Sequence, residues 1–172
     1  MALARRFLVP PILVTLICWV RYRCKISPRA EVELSPRLNI GRGAVISSFV
    51  KVKATSGDLY IGERVSIATG CFLSAGMGGL TLGDHTMLGP NTSVIANDYS
   101  YQTLDVPIAR QPKTSKGITI GRDVWLGAGC VVTDGVTIGD HCIIAPNSLV
   151  SQSLPPRSVA MGNPAKKIFE RR

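Results

Sequence analysis

Aromatic residues are scarce in this 172-residue chain, at 6%, and histidine occurs only twice. Thick aromatic packing is thereby excluded as the source of the core, and any imidazole chemistry rests on His85 or His141. The five cysteines, Cys18, Cys24, Cys71, Cys130 and Cys142, are odd in number and contain no close pair. That pattern argues against a secreted disulfide scaffold and for small buried thiols in a reducing compartment. Two histidines do not make a three-histidine zinc site, so no metal is expected. Nor is there an apolar run of the roughly 20 residues that span a bilayer as a helix.

Acidic residues are absent before Glu31, and the chain as a whole carries 20 Lys and Arg against 11 Asp and Glu, a formal charge of +9. Such a charge attracts nucleic acid, anionic lipid or a polyphosphate ligand alike. Without zinc-finger spacing, an aromatic-interleaved basic run or a recognition helix, nucleic acid is not the expected partner.

The run "RRFLVPPILVTLICWVRYR" holds thirteen mostly apolar residues, Leu8 to Val20, between basic flanks. Pro10 and Pro11 suit the start of a helix over roughly Ile12 to Tyr22. Two roles stand open for it: covering an end of the core or a neighbouring subunit, or lying in the surface of a membrane with its arginines on anionic headgroups.

Beyond Pro36 an aliphatic residue recurs every sixth position. The leading residues are Ile40, Ile46, Val52; Ile61, Ile67, Leu73; Leu82, Leu88, Val94; Ile120, Leu126, Val132; and Ile138, Ile144, Val150. Four positions after the first two leaders of each triplet comes a small or β-branched residue, such as Ala44, Cys71, Thr92, Val124 or Ser148. A helical period of 3.6 does not persist. The period predicts short strands and turns wound three faces to a coil, each coil burying its aliphatics against its neighbours. Insertions of three, three and twenty residues follow Val52, Leu73 and Val94. All three emerge at one corner, where strand register is undisturbed, and the longest is where function is expected.

These hexapeptides, with "VWLGAG" at Val124 to Gly129 and "LPPRSVAMGNPAKKI" at Leu154 to Ile168, resemble the left-handed β-helix acyltransferases over about residues 35–168. The nearest likeness is to the O-acetyltransferases of sugars and surface polysaccharides. The resemblance implies an all-β fold: a left-handed parallel β-helix of about five coils, with a short N-terminal apolar helix and a short C-terminal extension. Residues 1–30 form the helical segment and 31–172 the β-helix domain, with a protruding loop at 97–117. It also implies a homotrimer with sites between subunits and acetyl-CoA as acyl donor. Trp125, Gly127, Ala128, Ala145 and Ser151 occupy the donor-binding positions of that family. Gln152 stands where a lysine is common, and Lys166 and Lys167 are candidates to meet the nucleotide phosphates instead.

In that family a histidine usually opens the long loop, often after asparagine. Here the sequence is "AND", with Asn97 followed by Asp98. An ordinary aspartate has a pKa of about 3.9, roughly 2.6 units below imidazole, and is a weak base at neutral pH. His85 is the second catalytic candidate, because the register places His85, Asp123 and His141 along one edge of the prism. Asn97, Tyr99, Tyr101 and Asp105 suit a saccharide, whose hydroxyls need directional partners beside a stacking ring. The expected activity is acetyl-CoA-dependent O-acetylation of a saccharide in the cytoplasm, at the inner membrane face if the helix binds lipid. The alternatives are a catalytically degenerate trimeric scaffold and an acyltransferase with an amine acceptor.

Overall fold

The computed structural model describes residues 10–54 and 56–172. The apolar run that begins at Leu8 therefore starts outside the described residues. Helix α1 spans Pro11–Tyr22, with Pro11 in the first turn and Arg23 closing it in a left-handed conformation. Its Val14 and Cys18 are buried against the end of the solenoid.

From Lys25 the chain winds into a three-faced parallel solenoid of six coils. Face one stacks Lys25–Ile26, Val45–Ile46, Ser66–Ile67, Met87–Leu88, Trp125–Leu126, Ile143–Ile144 and Ser158–Gly162. Six strands make face two, from Glu31–Val32 to Leu149–Val150. Face three runs from Leu38–Ile40 to Thr137–Ile138, and a bridge from Ile138 to Leu154 extends it. In register on face one, Ile26, Ile46, Ile67, Leu88, Leu126 and Ile144 form one inward column. Before the C-terminal hairpin the strands are two or three residues long, because each coil turns a corner within a few residues of burying its aliphatic. Every leading aliphatic predicted from the period lies in the core, and the small residues four positions on, such as Cys71 and Thr92, are equally buried.

The first coil, through Ile26 and Val32, is additional to the five read from the period. Ile26 and Val32 keep the spacing of six, with Ala30 buried between them, but Val32 to Ile40 is eight residues and breaks the sequence pattern. All five cysteines are free and buried. Burial pushes the Cys71, Cys130 and Cys142 thiols up, so they behave as inert packing groups. The C-terminal extension is a hairpin: Ser158–Gly162 pairs antiparallel with Ala165–Glu170 across the cis Asn163–Pro164 bond.

Candidate functional site

The three predicted insertions leave the solenoid between faces two and three, and the longest is rooted by a set of directed hydrogen bonds. Ser115 donates its hydroxyl to the Ala96 carbonyl and accepts the Gly78 amide at 2.8 Å. The amides of Lys116 and Gly117 both donate to the Asp134 carboxylate, at 2.7 and 2.9 Å. Gly78 has no room for a side chain, since a Cβ there would lie 2.4 Å from the Gly117 nitrogen. Further out, Asp98–Tyr99 pairs antiparallel with Lys113–Thr114. Buried Gln111 folds the arm back on itself, donating through Nε2 to the carbonyls of Thr103 and Val106 at 2.7 and 2.8 Å.

This scaffold sets out the acceptor candidates. The Ser74 hydroxyl donates to Asn97 Oδ1 at 3.3 Å and fixes the side chain at the root of the arm. Asp98 is exposed, and its Oδ1 accepts the Tyr99 amide at 2.8 Å. Lys113 Nζ stands 4.9 Å from the Tyr99 ring centroid, a cation–π contact that keeps the ring on the hairpin. Tyr101 and Asp105 lie further along, both exposed. Asn97, Asp98 and Tyr99 thus form one contiguous polar edge.

The donor candidates are brought together only in part. Gly127, Ala128 and Ala145 share the corner between faces one and two, where the Asn147 amide donates to the Ala128 carbonyl across adjacent coils at 2.8 Å. A Cβ on Gly127 would meet the Pro146 nitrogen at 2.5 Å, so glycine is required by the approach of the next coil. Trp125 begins the same turn and points outward from face one, 49% exposed, in a row with Met87 and Ile143. Ser151 lies instead at the loop corner of the last coil, and Lys166 and Lys167 sit on the C-terminal hairpin, Lys167 in an ion pair with Glu170 at 3.4 Å.

Both histidines lie at the remaining corner, between faces three and one. His141 Nδ1 shares a hydrogen bond with Asp123 Oδ2 at 2.9 Å, and Arg171 Nη1 donates to the same oxygen at 3.0 Å. The His141 bond, aided by the Arg171 charge, holds the Asp123 carboxyl below its usual range. Asp123 thus pairs with His141 rather than His85, which stands in the coil below and is exposed. Arg171 is the member of this cluster that the register did not reveal, because it arrives from the hairpin 48 residues away. No group of three metal-ligating side chains occurs among the described residues.

Residues 117–152 match the family model "Bacterial transferase hexapeptide (six repeats)". The putative colanic acid biosynthesis acetyltransferase WcaF of Escherichia coli K12 is 32% identical over 137 residues, covering 77% of this chain and 69% of that protein. The chain belongs to the hexapeptide-repeat, left-handed β-helix acyltransferases. It is accordingly an acyltransferase by fold and kinship, as the hexapeptides implied. Galactoside O-acetyltransferase of E. coli K12 is 33% identical over 96 residues, covering 53% of this chain and 44% of the enzyme. AntD, an N-acyltransferase from Bacillus cereus solved with dTDP and 3-hydroxybutyryl-CoA, shares the fold at a TM-score of 0.77 and 23% identity, covering 87% of this chain and 81% of that one. PerB from Caulobacter crescentus, solved with CoA and GDP-perosamine, gives a TM-score of 0.66 at 28% identity and covers 85% and 57% of the two chains.

Proposed function

We propose that the protein transfers an acyl group from a coenzyme A thioester to the amino group of a sugar, carried on a nucleotide or an equivalent polar leaving group. The amine replaces the hydroxyl expected from the sequence as the leading acceptor. One observation carries the reading: the loop corner opens with an exposed carboxylate, Asp98, and both histidines stand at a different corner of the prism. A sugar hydroxyl needs its proton removed as it attacks, whereas a neutral amine attacks with its own lone pair. The new N–C bond forms as the C–S bond breaks, the sulfur leaves as thiolate, and the proton shed by nitrogen ends on sulfur or solvent. In this role Asp98 accepts a hydrogen bond from the amino group and holds it toward the thioester, while Tyr99 offers its ring face to the sugar. Two structural relatives support the choice: AntD is an N-acyltransferase, and PerB was solved with CoA and GDP-perosamine. Galactoside O-acetyltransferase keeps the hydroxyl as the competing acceptor.

The donor arm is assigned to the Gly127–Ala128–Ala145 corner and the loop to the acceptor, and these lie on opposite edges of face two. A homotrimer that sets one protomer's loop beside the next protomer's small-residue corner completes the site. The deciding experiment supplies the purified protein with acetyl-CoA or 3-hydroxybutyryl-CoA and a matched pair of sugar nucleotides, amino or hydroxyl at the same carbon, and follows thiol release. Turnover confined to the amino sugar is expected; turnover confined to the hydroxyl sugar would return the acceptor to oxygen.

A further inference from the structure

Helix α1 buries one side and leaves a second apolar side uncovered. Val14 and Cys18 face the solenoid, with Tyr22 packed beside them. At 100° per residue, Ile12, Leu13, Leu16, Trp19 and Val20 fall on the opposite side, and every one of them is exposed, Trp19 at 63% and Val20 at 67%. Between this face and the first coils runs an apolar groove of about 590 Å³, bordered by Ile12, Leu16, Trp19, Ile26 and Val45. A helix apolar all round is ordinarily buried all round.

The charge at this end identifies the cover. The described residues 10–30 contain Arg21, Arg23, Lys25 and Arg29 and no acid, whereas residues 31–172 carry fourteen cations against eleven acids. The first acid, Glu31, already pairs with Lys51 at 3.2 Å. A second copy laid on the helix by rotational symmetry would bring the same cationic segment against itself. An anionic surface meets both demands at once, receiving the apolar face among its acyl chains and the arginines among its headgroups. We propose that helix α1 docks this end of the prism on an anionic lipid bilayer, lying in its surface. At twelve residues the helix is about 18 Å long and does not cross the roughly 30 Å hydrocarbon core.

Flotation of the full chain with vesicles of phosphatidylcholine alone, or with about a third phosphatidylglycerol, tests the proposal. Binding to the anionic vesicles, weakened by 1 M salt, is expected. Each cation near an anionic surface is worth about fivefold in partitioning, so Arg21→Gln/Arg23→Gln/Lys25→Gln should lower it on the order of a hundredfold. Leu16→Ser/Trp19→Ser should lower it at least tenfold, and if that pair fails to fold the exposed charge variant stands alone. In a Trp125→Phe background Trp19 is the sole tryptophan, and its emission should shift to the blue only when anionic vesicles are added. Absence of binding to anionic vesicles at low salt would overturn the proposal. So would Trp19 emission already blue and shielded from quencher without lipid, which would assign the face to a second copy of the chain.

Discussion

Replacing Asp98 by asparagine separates a carboxylate that holds an amine from a residue that only shapes the loop. The asparagine oxygen can still accept the Tyr99 amide, which Asp98 Oδ1 holds at 2.8 Å, so the hairpin with Lys113–Thr114 should persist. What is lost is the charge. A hydrogen bond to a charged group contributes about 1.5–3 kcal/mol against roughly 1 for a neutral pair. Asp98 is exposed, which puts the difference at the low end until bound substrate excludes water. The expected loss in kcat/KM for an amino-sugar nucleotide is therefore about 3- to 30-fold. Asp98→His makes the complementary case, because imidazole at a hydroxyl acceptor contributes on the order of 10²–10⁴-fold as a general base. That variant should lose amino-sugar turnover and gain on the matched hydroxyl sugar. Initial rates of thiol release with both acceptors, from pH 6 to 9, provide the measurement. Asp98→Asn turning over the amino sugar within twofold of the parent, with the loop intact by proteolysis, would refute the role given to this carboxylate.

Three further outcomes follow from the geometry. Leu126 is fully buried in register between Leu88 and Ile144, so Leu126→Ala should cost about 2–5 kcal/mol and lower Tm by several degrees in a melt at matched concentration. Gln111→Ala removes the donor to Thr103 and Val106; limited proteolysis should cut within residues 99–110 several-fold faster, with Tm nearly unchanged because the solenoid does not depend on the arm. Asp123 has its carboxyl lowered by His141 and Arg171, so its stabilisation is present above the unfolded value near pH 4 and fades as pH falls through the depressed folded value. Being half-exposed, it should contribute less than about 1 kcal/mol, and Asp123→Asn should flatten only the acid limb of a denaturation series.

The spacing of six made the solenoid legible because each coil repeats one physical requirement: a bulky aliphatic must point inward in every face, beside a second inward residue that is small or β-branched on faces one and two. The same rule put all three insertions at one corner, and the structure has them between faces two and three. It failed at the first coil, where "ISPRAEV" keeps the rule but Val32 and Ile40 stand eight apart and no glycine follows Ile26. Register placed His85 and His141 on either side of Asp123, and of the two it is His141 that bonds the carboxylate, at 2.9 Å. Arg171 was out of reach of that reasoning, since the hairpin that delivers it folds back across the edge by antiparallel pairing rather than by the period. The Asp134 carboxylate, which fixes the root of the arm through two amides, is likewise invisible to periodicity: the sequence shows "VVTDG" as one more turn.

The three corners of the prism carry three different chemistries, and this constrains where acyl transfer can occur. Gly127, Ala128 and Ala145 lie at the first corner, where small side chains suit the close approach of the proposed thioester arm. A polar arm opening on Asn97, Asp98 and Tyr99 fills the second, with directional groups for a sugar. At the third stand the imidazoles, and there His141 and Asp123 are engaged with each other and with the C-terminal hairpin through Arg171. A reaction at the arm that needed imidazole would have to take it from across face three or from another protomer's third corner. An acceptor that supplies its own lone pair removes that need, and only the first two corners must then meet, which is the contact the proposed homotrimer would have to make.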